Sequence, residues 1–154
     1  MLCSVDLAIQ TNPMTDKSES VPARQQPGPP GQMEPENVFG DSLLSCSEDP
    51  VTGFYRDGCC NTGKGDHGSH TICVSLTTAF LEYSSSKGND LTTPMPAFNF
   101  PGLNEGDKWC LCASRWLEAH QSGCAPRVYL RSTHKRALDI VPLDILREYA
   151  VDLN

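Results

Sequence analysis

The sequence contains no apolar run approaching the ~20 residues a helix needs to span a bilayer. It is also poor in basic charge: twelve Lys and Arg stand against nineteen Asp and Glu, a formal net charge of −7. Such a surface repels phosphate backbones and anionic headgroups, so neither nucleic acid nor a membrane is expected as a partner. The nearest basic patch, His134–Lys135–Arg136 with Arg131 before it, is small. The N-terminal stretch has no basic start followed by a sustained apolar segment, and Asp6 and Asp16 count against a mitochondrial presequence. A cytoplasmic location with reduced thiols is the resulting expectation, and a disulfide framework is disfavoured. Signature motifs are missing too. There is no internal repeat, and no Cys-x2–4-Cys knuckle of the kind structural zinc sites use. The three glycines in Gly63–Lys64–Gly65–Asp66–His67–Gly68 lack the spacing and terminal Lys-Ser/Thr of a phosphate loop.

What the chain does have is cysteine, eight in 154 residues. Six of them, Cys46, Cys59, Cys60, Cys73, Cys110 and Cys112, frame the segments with the clearest patterning. Residues 1–36 are rich in proline and serine and carry few large apolar groups. Such a segment cannot bury enough surface to offset its ordering entropy, and reads as a disordered leader. Residues 37–152 read as a single cysteine-rich domain with one modest core.

Within that domain, Val51–Arg56 is short and extended, an expected antiparallel edge, and Asp57–Gly58 turns the chain into the cysteine pair. Ser69–Leu76 has the β-branched and apolar content of an inner strand. Thr77 caps a helix that stops at Gly88, with Phe80, Leu81 and Ser84 on one face. Asn89–Asp107, interrupted by Pro94, Pro96 and Pro101, is a long loop packed by its own aromatics. Lys108–Leu111 is a second strand, after which Cys112 opens a helix bearing Ala113, Trp116, Leu117 and His120 and closed by Gly123. Arg127–Leu130 is a third strand. Ser132 or Thr133 caps a short helix, and Pro142 starts the last one. The expected fold class is α+β: a small mixed β-sheet, partly βαβ in order and partly parallel, with three or four helices packed on it.

Thiols, imidazoles and carboxylates supply the candidate chemistry. Side chains alternate along a strand, so Cys110 and Cys112 share a face while Leu111 points away. One of Cys59 or Cys60 is therefore expected to meet Cys110 or Cys112 while the other packs inward. Cys59, Cys60, Cys110, Cys112 and His70 are the candidate ligands for zinc or another thiophilic metal, with Cys46, Cys73, His67 and His134 within sequence reach. A nucleophilic reading centres on Cys112 at a helix N-terminus, with His70 or His134 as base and Asp57 or Asp90 as its orienting group. Against these stand plainer roles: packed cysteines, a solvent-facing His134, and an Asp90 that only caps Thr92 and Thr93. For a small anionic ligand, Arg56 and Arg115 are the clamps.

The segments DPVTGFYRDGCCNTG, GSHTIC, GNDLTTPMPAFNFPGL, GDKWCLCASRW and THKRAL together resemble a widespread, mostly bacterial family known as domain of unknown function 2237. The likeness runs over about residues 37–152. The positions that match its pattern are Cys46, Asp57, Gly58, Cys59, Cys60, His70, Cys73, Asn89, Asp90, Pro101, Gly102, Trp109, Cys110, Cys112, Arg115, Trp116 and His134. The leader and Cys124 depart from it. The resemblance implies a small single-domain protein with one polar, thiol-bearing site and names no substrate. Two functions follow: a Cys/His/Asp site for a metal or small ligand, or a structural or protein-interaction domain whose cysteines pack or staple.

Overall fold

The computed structural model describes residues 34–153, so the expected leader lies outside it but for its last three residues. The sheet is built on β1 (His70–Ser75), which is wholly buried except for Ser75. β2 (Lys108–Cys112) pairs antiparallel on one side of it and β3 (Arg127–Val128) on the other. The parallel component that makes the sheet mixed is the isolated bridge Val128–Ala150.

α1 (Thr78–Ser86) starts where Thr77 accepts the Phe80 amide and ends before Gly88, whose φ of 89° a β-carbon would disfavour. α2 (Ala113–Gln121) follows β2 without a loop, with Cys112 as its N-cap residue and Gly123 in the left-handed region after it. α3 (Leu143–Arg147) begins after Pro142. Helices α1 and α2 cover one face of the sheet. There Ile72, Val74, Trp109 and Leu111 meet Phe80, Leu81, Ala113 and Trp116, and Leu91, Phe100 and Leu103 of the long loop close the edge. The Trp116 indole N–H donates to the Pro126 carbonyl at 3.1 Å, which satisfies its buried polar atom.

Three local expectations are corrected. Residues 51–56 form no sheet edge; Val51 makes only an isolated bridge to Glu48. Left-handed conformations at Gly53, Arg56 and Gly58 turn this stretch too sharply for a ladder. The third strand stops at Val128 because the Asp152 carboxylate takes the Leu130 and Arg131 amides, and the chain winds into a 3₁₀ turn over Leu130–Ser132. The next turn, a 3₁₀ helix over Lys135–Asp139, is capped by His134 rather than Ser132 or Thr133.

Among the described residues, no α-helix covers the other face of the sheet. A strap of irregular chain, residues 45–69, lies over it. The Cys46 and Ser47 amides both donate to the Gly58 carbonyl, closing the strap into a loop. The Thr52 hydroxyl accepts the Cys110 amide at 2.9 Å, fixing that loop to the outer edge of β2.

Candidate functional site

The pleat decides which side chains face the strap. Cys73 and Cys110 are direct cross-strand partners, and Cys112, two residues on, returns to the same face. Regular alternation would put His70 on the opposite face from Cys73, three residues away. A register irregularity between His70 and Ile72 absorbs one residue, however, and His70 pairs directly with Cys112. Cys73, Cys110, Cys112 and the His70 imidazole thus come to share one buried surface, although alternation alone would put His70 on the other face.

Two disulfides bind the strap to this surface. Cys46 joins Cys73 and Cys60 joins Cys110, and all four cysteines are buried around the ring of Tyr129. The expectation of reduced thiols is overturned at these positions. The expected meeting of Cys59 or Cys60 with Cys110 or Cys112 is realised as the second bridge. The strap can bring its cysteines this close because Gly53 and Gly58 sit against other chain. A β-carbon on Gly53 would lie 2.3 Å from the Cys59 carbonyl oxygen.

The sulfurs of Cys46, Cys60 and Cys110 lie within 4.8 Å of one another, a cluster able to coordinate a metal ion once the two bridges are reduced to thiolates. Cys60 and Cys110 belong to the ligand set expected from the sequence, and Cys46 joins them. Cys59, Cys112 and His70 fall outside this group. Cys59 is half-buried, its amide donating to the Asp57 carboxylate at 3.1 Å. Cys124, beside the Ser122 carbonyl, lies on the far end of α2.

Next to the cysteines is a second polar constellation. The turn at residues 61–69 folds Asp66 back onto His70, four residues on. One Asp66 carboxylate oxygen accepts the His70 ring Nδ1–H at 2.6 Å. The other accepts the His70 amide and the Thr62 hydroxyl, both at 2.9 Å. Both side chains are completely buried, and the ring of Phe54 stacks on the imidazole at 6.2 Å. Burial opposes ionisation of Asp66. The hydrogen bond and charge of His70, with the His70 amide and Thr62, outweigh it and hold the carboxyl below its ordinary range. Asp66 is not among the residues the sequence singles out. The signal it carries is its i, i+4 spacing to His70 in a glycine-rich turn.

The remaining candidates lie elsewhere. Asp90 is exposed and accepts from the backbone and hydroxyls of Thr92 and Thr93. Arg115 reaches the Lys87 carbonyl and Glu118 on the helical side. The Arg56 guanidinium donates to the Val51 carbonyl and lies over the Trp109 ring, and burial brings its pKa down to about 10. The two arginines thus engage different parts of the fold. His120 stacks on Trp116 and meets the Tyr149 hydroxyl.

His134 is buried, not solvent-facing. Its amide donates to the Thr71 carbonyl and its ring Nδ1 accepts the Arg136 amide at 3.0 Å. It borders an open groove of about 840 Å³ together with Tyr55, Thr62, Lys64, Lys135 and Arg136. Burial first, then the charges of Arg136 and Lys135, hold its pKa below the ordinary imidazole value, against a weaker opposite pull from Asp139 and Glu36. A depressed folded-state pKa means the contribution to stability is complete above the unfolded value of about 6.5 and is lost as pH falls from there through the folded value. Chemical denaturation across that window is expected to show stability falling as pH falls. His134→Asn, which keeps a capping acceptor, should remove that part of the slope.

A family model described as DUF2237, an uncharacterized protein conserved in bacteria, matches residues 36–150. The chain belongs to this family. No curated protein matches it. The family match spans the whole strap, the sheet and α2, so every residue of the buried thiol face falls within it. Among the described residues, no helix is long and apolar enough to cross a membrane.

Proposed function

We propose that the strap-covered face is a thiol centre with two forms. When oxidised, Cys46, Cys60, Cys73 and Cys110 stand as two disulfides; when reduced, they hold a thiophilic divalent cation such as zinc. The proximity of the Cys46, Cys60 and Cys110 sulfurs, with Cys73 bonded to the first of them, carries this reading. Four thiolates around one ion make the closed donor set of structural zinc sites, here assembled from strap and sheet rather than from a knuckle. Interconversion is balanced by a dithiol reductant. For each protein disulfide it gives up two electrons and two protons and becomes a disulfide itself, and the entering cation then displaces the thiol protons. Metal binding in this form stabilises the fold, because the unfolded chain offers no preformed site. The competing reading, a purely structural staple, draws on the complete burial of Cys60, Cys73 and Cys110.

The deciding experiment is cadmium or zinc titration of the full chain, reduced anaerobically with a dithiol and freed of reductant. One ion per chain is expected, with cadmium–thiolate absorption in the ultraviolet, and with loss of binding in Cys46→Ser and Cys110→Ser. A reduced, folded protein that retains no metal would leave only the staple. Metal retained undiminished by both variants would place the site elsewhere.

A further inference from the structure

We infer that the groove beside His134 binds the anionic group of a small organic molecule, a phosphate monoester or a carboxylate. The observation that carries this is a buried donor the fold leaves unused. His134 is only 8% exposed, and its ring Nδ1 accepts the Arg136 amide at 3.0 Å. In the neutral imidazole the proton therefore sits on Nε2, which becomes the donor. Nε2 has no hydrogen-bond partner among the described residues, yet it is not sealed inside the protein. The opening that His134 lines is the groove. Burial and the cations beside it keep the ring uncharged near neutral pH. It thus meets a ligand as a fixed N–H donor and not as a cation.

The backbone holds this donor in place at three points. The His134 amide donates to the Thr71 carbonyl of β1, and His134 pairs with Asn37 in an isolated bridge. The next amide, that of Lys135, donates to the Glu36 carbonyl. A side chain carried on so constrained a segment loses little freedom when a ligand arrives, which is the condition for a preorganised site. The strap supplies another wall. There the Tyr55 hydroxyl is seated on Gly63, where a β-carbon would lie 2.2 Å from it. Burial, then the charges of Asp66 and Asp57, hold this phenol above its ordinary pKa, so it is a second neutral donor at the groove.

Local charge favours an anion although the chain as a whole carries −7. The cations of the groove are Lys64, Lys135 and Arg136, and its carboxylates are Glu34 and Glu36. Lys135 neutralises Glu36 at 2.8 Å. Arg136 meets Asp139 only at 3.7 Å, with both side chains mostly exposed, a contact that water and salt weaken. Lys64 enters no ion pair among the described residues. Two cations therefore stand against one carboxylate, Glu34, around the two neutral donors. Charges farther away count for little, because salt screens them beyond about 8 Å. At about 840 Å³ the groove exceeds what an inorganic anion needs and falls within the range of small-molecule sites, roughly 300–1,000 Å³. The half-exposed Tyr55 ring offers an apolar face to the body of such a molecule. Among the described residues no cysteine lines the groove, so this inference is independent of metal binding at the thiol centre.

The test is an NMR titration of the full-length, non-reduced, nitrogen-labelled protein with phenyl phosphate, benzoate and benzyl alcohol, in about 0.15 M salt. At least one of the two anions is expected to give saturable shifts of the His134 ring nitrogens and of the Lys64 and Arg136 amides. Benzyl alcohol should bind at least about tenfold more weakly, and the tighter anion names the group the site takes. Tyr55→Phe removes only the hydroxyl and should weaken binding about tenfold. His134→Asn keeps the capping acceptor but withdraws the donor from the groove, and should weaken binding by about the same factor. Lys64→Gln, which removes an exposed charge, should weaken it about threefold. The amide spectra of the free variants check that each remains folded. Shifts that fail to saturate with either anion would overturn the inference. So would benzyl alcohol binding as tightly as the anions, or an affinity unchanged in both Tyr55→Phe and His134→Asn.

Discussion

Replacing Cys60 and Cys110 together by alanine is expected to lower the unfolding free energy of the oxidised protein by about 4 kcal/mol. The bridge spans 50 residues of sequence and ties the strap to the middle of β2. In the unfolded chain that link removes much of the freedom a ring of this size would otherwise have, and the estimate grows with the logarithm of ring length. The Cys46–Cys73 bridge, with a separation of 27, should contribute about 0.5 kcal/mol less. The two contributions will not add fully, because the rings share residues 60–73. Alanine suits the replacement better than serine, since both positions are completely buried and would strand a hydroxyl. Urea unfolding without reductant measures the difference, and adding a dithiol to both proteins should largely cancel it. A loss below about 1 kcal/mol would mean that the bridge contributes little to the folded protein in solution.

The second large effect is at Asp66. Asp66→Ala is expected to cost about 3–5 kcal/mol, because it leaves the imidazole of His70, its amide and the Thr62 hydroxyl without their shared acceptor in a fully buried setting. Asp66→Asn should cost less, since the amide retains an acceptor oxygen. The pH dependence follows from the direction of the carboxyl shift. A folded-state pKa below the unfolded value contributes stability that is complete above the unfolded value, about 3.9, and is lost as pH falls through the folded one. Wild-type protein should therefore lose stability more steeply than Asp66→Asn as the medium is acidified below about pH 4. Parallel acid limbs for the two proteins would show that the pair does not link folding to protons.

The parts of this fold that were legible in the sequence are those set by neighbouring residues. Thr77 and Gly88 bound α1 because a capping hydroxyl and a left-handed glycine act within one turn of chain. The run from Lys108 through Cys112 into α2 and on to Gly123 is legible for the same reason. The pairing of Cys60 with Cys110 was within reach because strand parity limits which sulfurs can face a partner. What stayed hidden depends on long-range geometry or on a break in the pattern. Nothing near Cys46 in the sequence points to Cys73. The stretch 51–56 has strand-like residues, yet Gly53 within it serves a close approach to the chain at Cys59, as Gly58 just after it does to Glu48. His70 changes face through one irregular position in β1, and no periodicity count registers that. With His70 turned to the strap, Asp66 becomes its partner, in place of the more conspicuous Asp57 and Asp90.

The order of the four bridged cysteines along the chain, 46, 60, 73 and 110, makes the two covalent rings interleave rather than nest. Any backbone break between Cys60 and Cys73 lies inside both rings at once. The exposed turn at Lys64 and Gly65 is such a place. A chain cut there would remain one molecule, its halves joined twice across the sheet, whereas a cut between Cys46 and Cys60 or between Cys73 and Cys110 would leave a single link. In the oxidised protein, the segment that delivers Asp66 is thus the one where peptide continuity matters least. New chain ends could be opened beside it with the sheet still covered.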